Sequence, residues 1–274
     1  MLFSNPPLLA LLVNESRARD AKRSGDIYAR NWIEPQYQDS ISKLWMEFSQ
    51  QVYSQDDIVL SVRTRIIQNI LNKKVDENTS VIILPCGFVS YAFMSNKEAE
   101  YIELDLEDLI QYKSKMYNKL QTTNILPKRN IKYISIDLAK KEKRKSIFSK
   151  LTLRENRIFI LEGISYYLKS EDWWNLLLEI KKLCRKGDII IFDYWNNEEK
   201  DLDVYERFRL FCNQYMMSQI ENFLFMNKKE IINFFKNDKV KIESVFFSEY
   251  KFTKQKELRQ NNILNDTFAI ISIN

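Results

Sequence analysis

The chain has 274 residues, 45% of them hydrophobic, which is enough to bury the core of one large α/β domain or two small domains. Its net charge of +5 comes from interleaved acids and bases, which favours a solvated lysine-rich surface over a nucleic-acid-binding one. The absence of histidine excludes Ser-His-Asp and Cys-His nucleophile systems, and no metal site is predicted.

The three cysteines, Cys86, Cys184 and Cys212, are widely spaced and form no CxxC pair. This pattern argues against a disulfide framework and fits a reducing compartment. The apolar run at residues 8–13 is too short to span a bilayer, and no basic residue precedes it, so we interpret it as the start of a buried helix. We therefore expect a cytoplasmic protein without membrane association.

Residues from 7 to about 71 are predicted to be helical, with an interruption at Pro35. Apolar residues recur at helical spacing over 41–48 and again over 58–71, while Arg63 and Arg65 lie outside the second apolar face. Trp45 and Phe48 are expected to pack in the core. A polar connection then leads into the first strand.

Residues 81–87, V-I-I-L-P-C-G, predict a buried strand of a parallel sheet that ends in a glycine turn, followed by a short helix. A small molecule can approach bare backbone at such a turn, here at Gly87. The next strand ends in Asp105, and an acid roughly 20 residues after the turn contacts ribose hydroxyls in nucleotide-type sites. Gly87 and Asp105 thus suggest a nucleoside pocket; an ordinary strand–helix turn is the plainer alternative.

Strands and helices alternate through the rest of the chain, which predicts a mostly parallel sheet with helices on both faces. Two final strands with no long helix between them suggest an antiparallel edge. The predicted strands after the first cover 101–105, 131–137, 157–161, 188–192, 241–247 and 267–273. The predicted helices cover 106–120, 171–184 (closed by Gly187), 196–217 and 228–236, and the basic stretch 139–150 is a solvated helix or loop.

Three acids share one position in this pattern, because Asp105, Asp137 and Glu162 each end a predicted parallel strand. Ligands of open α/β sheets bind at that edge. Three carboxyl groups there could hold a metal, act as acid and base, or accept hydrogen bonds from a polar ligand. The lack of histidine and of D-x-D spacing disfavours a metal, whereas an adenosine-type ligand offers hydroxyl and amine donors that carboxylates accept well.

Five motifs occur in an order that resembles the leucine carboxyl methyltransferase family, a branch of the class I S-adenosylmethionine-dependent methyltransferases. They are R-T-R-I-I-Q-N-I-L (63–71), L-P-C-G-F (84–88), E-L-D-L-E-D-L-I-Q-Y-K (103–113), S-I-D-L (135–138) and L-E-G-I-S-Y-Y-L (161–168). The similarity covers about residues 17–195. It implies a single domain over 1–274, with a helical N-terminal cap (1–72) and a Rossmann-like core (73–274). The core would be a seven-stranded, mostly parallel sheet with an antiparallel last strand.

The resemblance also implies S-adenosylmethionine as cofactor and a role for six residues around it. Arg63 would pair with the methionine carboxylate, Gly87 would let backbone approach, Asp105 would accept from the ribose, Asp137 with Leu138 would hold the adenine, and Glu162 would line the amino-acid end. The turn departs from the family pattern, which is G-A-G followed by an aspartate and a basic residue. Here Pro85 lacks an N–H and Ser90 replaces a charged residue. A non-catalytic binding protein on a degenerate scaffold is therefore one alternative.

The leading hypothesis is methyl transfer to an oxygen of a small metabolite, a carboxylic acid or a hydroxylated, polyketide-like compound. A carboxylate acceptor needs no general base, whereas a hydroxyl acceptor needs help, for which Tyr166, Tyr167 and Tyr194 are candidates. An aromatic cover of Trp32, Tyr37 and Trp45, with the segment 195–215, is expected to enclose the acceptor. Methylation of a protein C-terminal carboxylate is the alternative among enzymes, and RNA methylation would require salt-sensitive binding through residues 140–150.

Overall fold

A computed structural model describes residues 8–95, 97–215 and 222–274. The N-terminal region is helical, as predicted, and consists of α1 (Leu8–Arg19), α2 (Ala21–Ser24), α3 (Pro35–Gln51) and α4 (Asp56–Lys74), with a 3₁₀ turn at Ala29–Trp32. Pro35 is the first residue of α3, where its missing N–H would have no partner in any case. The beginning of the predicted N-terminal helix, before Leu8, lies outside the described residues.

One sheet forms the centre of the molecule, with strand order β3-β2-β1-β4-β5-β8-β7 and β6 paired to the end of β5. Among the strands of the described residues, only β8 runs antiparallel to its neighbours, so the predicted mostly parallel sheet with an antiparallel last strand is confirmed. The two-residue strand β6 was not predicted, because so short a pairing has no sequence period. The strands are β1 (Thr79–Ile83), β2 (Glu100–Asp105), β3 (Asn130–Ser135), β4 (Asn156–Leu161), β5 (Ile189–Asn196), β6 (Phe225–Met226), β7 (Lys239–Ser244) and β8 (Thr267–Ser272).

The remaining helices are α5 (Tyr91–Met94), α6 (Glu107–Thr122), α7 (Lys141–Phe148), α8 (Ser170–Leu183), α9 (Asp203–Tyr215), α10 (Lys228–Phe234) and α11 (Val245–Thr253). The strand predicted over 241–247 is wrong at its end, because residues 245–247 begin α11. The Asn265 side chain accepts a hydrogen bond from the Phe246 N–H, a distant partner that no local pattern reveals. Gly187 lies in the turn beyond α8 rather than at its end. The last two residues of the helix predicted over 196–217 lie outside the described residues.

Each face of the sheet carries its own hydrophobic core, as the alternation of side chains along a strand requires. In β1, Val81 and Ile83 pack into the core under α1, α3, α4, α6 and α9, whereas Ile82 packs under α8 and α10. Trp45 and Phe48 lie in the first core, which confirms their predicted packing. Helices therefore cover both faces, and the carboxyl edge of the parallel strands meets the N-terminal helices.

Two further features concern the cysteines and the helices. Cys86, Cys184 and Cys212 are free thiols. Within residues 8–95, 97–215 and 222–274, none of the helices combines the length and the apolar character that crossing a bilayer requires.

Candidate active site

A cavity of about 1020 Å³ lies at the carboxyl edge of the parallel strands. Its floor consists of the segments that follow β1, β2, β3 and β4, and α1 covers it from above. The six residues predicted for the cofactor all line this one cavity: Arg63, Gly87, Asp105, Asp137, Leu138 and Glu162. Parallel strands end at a common edge, which explains why the residues after β1 to β4 meet here, whereas Arg63 reaches the cavity from helix α4. Their individual roles stay predictions.

The glycine turn after β1 is tied to the end of β2 through one carboxylate. Asp105 Oδ2 accepts from the Gly87 N–H and Oδ1 from the Leu106 N–H, both at 2.8 Å. Burial raises the pKa of Asp105, while these two N–H donors oppose the rise. Gly87 has φ of 43°, and a Cβ there would meet no described atom within 4 Å. The space above Gly87 is therefore open, and only glycine leaves it so without backbone strain.

The wall after β3 is braced from behind by a buried arginine. Arg144 of α7 donates to the Leu138 carbonyl oxygen at 2.5 Å and pairs with Glu179 at 2.8 Å. The stretch 139–150 was interpreted as solvated; most of it is exposed, but Arg144 is fully buried. Asp137, at the rim, pairs with Lys140 at 3.4 Å. Leu138 thus presents a fixed apolar surface beside a solvated acid.

A cluster of three buried carboxylates surrounds Arg63 at the back of the cavity. The guanidinium Nε lies 2.8 Å from Glu162 Oε1, and Nη1 lies 3.1 Å from Asp266 Oδ2 and 3.6 Å from Asp193 Oδ2. Asp193 Oδ1 also accepts from the Gly163 N–H at 2.7 Å. Arg63 lies outside the apolar stripe of α4, yet these partners bury it. We call these four side chains the Arg63 cluster.

Burial and mutual repulsion set the protonation of this cluster. Burial, with the neighbouring Asp266 charge, raises the pKa of Asp193 to about 7, although Arg63 opposes the rise. Burial likewise raises the pKa of Asp266. Burial alone would lower the pKa of Arg63, but Glu162 and Asp266 outweigh it and hold that pKa well above its ordinary value. Arg63 is therefore always charged, while Asp193, coupled to its neighbour Asp266, exchanges its proton near neutral pH.

The structure separates the three tyrosines that were candidate bases. Tyr167 lines the cavity. Tyr166 lies behind it, where its hydroxyl donates to Asp193 Oδ2 at 3.2 Å and its ring stacks on Trp195. Tyr194 is 1% exposed and packs in the core on the other face of the sheet, so it is not brought to the cavity. The alternation of β5 side chains sends Trp195 and Tyr194 to opposite faces, which accounts for the difference.

Arg17 of α1 is a cavity residue to which the sequence analysis assigned no role. Its side chain is 2% exposed, and Nε lies 3.6 Å from Asp26 Oδ2. Asp26 contacts the hydroxyl of Ser90, which in turn accepts from the Trp32 indole N–H at 2.9 Å. Ser90, a departure from the family pattern, thus belongs to a buried network that reaches Arg17. Only packing distinguishes Arg17 from its charged neighbours in the sequence.

The expected aromatic cover is wrong, since Trp32, Tyr37 and Trp45 do not line the cavity, and neither does any residue of the segment 195–215. Trp32 and Trp45 are buried, and their indole N–H groups donate to Ser90 and Ser16. The apolar cover comes from two segments instead. Its members are Leu9, Ala10 and Val13 of α1 together with Phe223 and Leu224.

A second buried ion pair supports the glycine turn. Lys113 Nζ lies 2.6 Å from Glu103 Oε2, both side chains are fully buried, and Nζ donates to the Val89 carbonyl oxygen at 3.1 Å. Val89 lines the cavity. Lys113 and Glu103 belong to a motif noted in the sequence, but no role was assigned to them.

We expect Lys113→Met to lower the free energy of unfolding by about 3–5 kcal/mol, because it leaves Glu103 buried without a cation. The double variant Lys113→Met/Glu103→Leu removes both charges and should regain most of that loss. Urea unfolding of the wild type, the Glu103→Leu single variant and these two variants measures the coupling. A double variant no more stable than Lys113→Met would contradict the ion-pair account.

No group of three or more His, Cys, Asp or Glu side chains suited to a metal ion occurs within the described part of the chain. The groups that converge on the cavity are instead carboxylates, two guanidinium groups, one open glycine turn and apolar surface. This set suits an organic ligand with hydroxyl donors, an amino-acid end and a flat apolar part.

Comparison with known proteins agrees with this chemistry. The sequence matches the model of the leucine carboxyl methyltransferase family over residues 7–181, more than half of the chain, which confirms the resemblance seen in the motifs. A DUF574 family protein from Streptomyces avermitilis has a TM-score of 0.61 at 12% identity, over 90% of this chain and 96% of that one. A proposed methyltransferase from Thermobifida fusca has a TM-score of 0.57 at 9% identity, over 85% and 88%. At such low sequence identities, these two similarities show a shared fold alone. No curated protein matches the chain.

Proposed function

Because the chain belongs to the leucine carboxyl methyltransferase family and is an S-adenosylmethionine-dependent methyltransferase, we propose that it methylates an oxygen of a small metabolite. The observation that carries this proposal is the convergence of Arg63, Gly87, Asp105, Asp137, Leu138 and Glu162 on one cavity. Family membership favours an enzyme over the non-catalytic binding protein considered from the altered turn. Methylation of a protein C-terminal carboxylate is the alternative.

The residues of the floor fit the nucleoside part of the cofactor. Both oxygens of Asp105 keep a free lone pair after binding the Gly87 and Leu106 N–H groups, and these can accept from a ribose diol. A Cβ at Gly87 would project into the open space above the turn, which glycine leaves clear for the ligand. Leu138 offers the adenine an apolar wall, and Asp137 beside it accepts from an exocyclic amine. Bound S-adenosylmethionine supplies a methyl group already activated on a sulfonium.

Two guanidinium groups are available for the methionine carboxylate. The Nε atom of Arg63 pairs with Glu162, and its Nη1 atom pairs with Asp266. Its Nη2 has no hydrogen bond within the described residues, so it is the atom we assign to the ligand. Arg17 lines the same cavity; its Nε faces Asp26 and its Nη2 donates to Asn14, while Nη1 has no hydrogen bond within the described residues. We assign it to the same carboxylate, because paired charge-assisted bonds fix both position and orientation.

The tyrosines support a carboxylate acceptor over a hydroxyl. Burial raises the pKa of Tyr166 and of Tyr167 well above the ordinary value, so neither is a ready base near neutral pH. A carboxylate is already ionised and needs only to be held in line with the methyl carbon. The apolar cover formed by α1 with Phe223 and Leu224 suits a hydrophobic, polyketide-like acid.

We also propose that residues 1–72 act as a cap on a core formed by 73–274, since Arg17 and Arg63 both enter the cavity from the cap. The helix that carries Arg63 ends at Lys74, so the division falls in its last turn. A cytoplasmic location and a small-molecule acceptor rather than nucleic acid complete the proposal. The free thiols support the cytoplasmic location, and the cavity covered by α1 supports the small-molecule acceptor.

The test is calorimetry with S-adenosylmethionine and S-adenosylhomocysteine, followed by transfer of labelled methyl to a panel of hydrophobic carboxylic acids and matched alcohols. We expect both cofactor forms to bind and label to appear in alkali-labile esters. Label in alcohols alone would overturn the carboxylate assignment. Label in a peptide C-terminus but in no small acid would favour the protein alternative.

A further inference from the structure

We propose that the Arg63 cluster makes the site select the positively charged cofactor over its neutral, demethylated product, so that methyl transfer itself weakens the hold on the product. This inference rests on the proposed function, which places the cofactor's amino-acid end beside Arg63. It assigns the task to Asp193 and Asp266, two residues that do not line the main cavity.

The cluster is short of positive charge. Glu162, Asp193 and Asp266 share one guanidinium, at distances of 2.8, 3.6 and 3.1 Å. The other buried cations near the cavity already have their own acids, since Arg17 pairs with Asp26 and Lys113 with Glu103. Lys169 lines the mouth of the cavity, where it is exposed and screened by solvent. With all its acids ionised, the cluster would carry two uncompensated negative charges.

Solvent does not screen this excess of negative charge, because the side chains of the Arg63 cluster are at most 6% exposed. Water cannot compensate charges at such depth, so a cation that enters the cavity is attracted more strongly than at the surface. Glu162 lines the cavity and connects the cluster to it.

The reaction removes the charge that the cluster attracts. An oxygen of the acceptor forms the new bond to the methyl carbon, and the electron pair of the broken carbon–sulfur bond stays on sulfur. The sulfonium thereby becomes a neutral thioether, and a carboxylate acceptor becomes a neutral ester. The amino-acid end keeps both of its charges, so the cofactor and its product differ by one positive charge at sulfur.

The protonation of the cluster is linked to this difference. Asp193 is faced by Arg63 of α4, by Glu162, Tyr166 and Tyr167 after β4, and by Asp266 before β8, which is itself close to Asp56. Burial raises the pKa of Asp193 to about 7, so near neutral pH this carboxyl is protonated in some molecules and ionised in the others. A bound sulfonium favours the ionised form and should expel that proton, whereas the thioether should not.

The experiment measures by calorimetry the ratio of the affinities for S-adenosylmethionine and S-adenosylhomocysteine. For the wild type we expect the ratio to rise about tenfold between about pH 5 and about pH 8, close to the full effect of one charge across roughly 10 Å at an effective dielectric constant of about 20. Asp193→Asn should hold the ratio at its acidic value at both pH values. Its amide still accepts from the Gly163 N–H.

Asp188→Asn is the matched control. Asp188 is also buried, but it precedes β5 at the opposite edge of the sheet, where it accepts from the Arg157 and Arg185 N–H groups. The affinity ratio of Asp188→Asn should change with pH as that of the wild type does. Titration of groups on the ligands affects both proteins equally, so it cancels in this comparison. A second measurement needs no variant. Calorimetry of the wild type in buffers of different ionisation enthalpy gives the number of protons released when each ligand binds. We expect more release with S-adenosylmethionine than with the product.

The possible results distinguish a failure of this inference from a failure of the proposed function. Equal proton release for both ligands, or an Asp193→Asn ratio that tracks the wild type across pH, overturns the inference while leaving the proposed function intact. If neither ligand binds the wild type, the proposed function fails and the inference fails with it.

Discussion

Asp105→Ala is expected to lower the affinity for S-adenosylmethionine at least about 100-fold, because hydrogen bonds to a charged group contribute about 1.5–3 kcal/mol each and the ribose would lose two of them. The same change deprives the Gly87 N–H of its acceptor and loosens the turn. Calorimetry measures the affinity, and thermal unfolding checks that the variant is folded.

Asp137→Ala is the control for this prediction. Asp137 lies at the rim of the same cavity, but it is half-buried and already paired with Lys140. Its loss should lower the affinity less than about tenfold, since a solvated hydrogen bond contributes only about 1 kcal/mol. If Asp105→Ala were folded and bound the cofactor as tightly as the wild type, the ribose assignment would be lost.

Arg63→Met is expected to lower the free energy of unfolding by about 3–5 kcal/mol near neutral pH, because it leaves three buried carboxylates without their cation. The defect should shrink in acid. Burial raises the folded pKa of Asp193 from its ordinary 3.8 to about 7, and Arg63 opposes that rise, so losing Arg63 raises this pKa further. In both proteins the contribution of Asp193 to stability is complete below about pH 4, and the loss extends to higher pH in the variant, so the two proteins diverge as the pH rises through about 7. Urea unfolding from about pH 5 to about pH 8 measures both effects.

Arg65→Met provides the comparison for Arg63→Met. Arg65 lies two residues further along α4, and its guanidinium donates to the Arg23 and Lys22 carbonyl oxygens rather than to carboxylates. Its replacement should lower the free energy of unfolding by only about 1–2 kcal/mol, without the pH trend. Arg63→Met with wild-type stability at about pH 8 would show that the carboxylates have another source of compensation.

Several parts of the site followed from local sequence. Gly87 lies in the turn that follows the first predicted strand, Asp105 ends the second, and Glu162 follows the strand predicted at 157–161; parallel strands end at one edge of their sheet. The chain therefore needs no long-range information to place these residues near one another. The motif order added the family, and the family added the cofactor.

What only the tertiary structure decided concerns partners that are distant in sequence. Arg63 and Asp266 are 203 positions apart, and no periodicity relates them. Arg17 resembles the charged residues around it until α1 is packed over the cavity. Trp32, by contrast, is predicted to cover the acceptor but lies in the core, where its indole N–H donates to Ser90.

By itself, the sequence determined the order of strands and helices along the chain and the edge at which the acids gather, because each depends on residues close in the chain, and the order of its motifs determined the family and with it the class of reaction. The tertiary structure decided which charges are buried together, and hence how Arg63 is held and which acids share protons. The physical reason is that hydrophobic periodicity is a local property, whereas the desolvation of a charge depends on every element that closes over it.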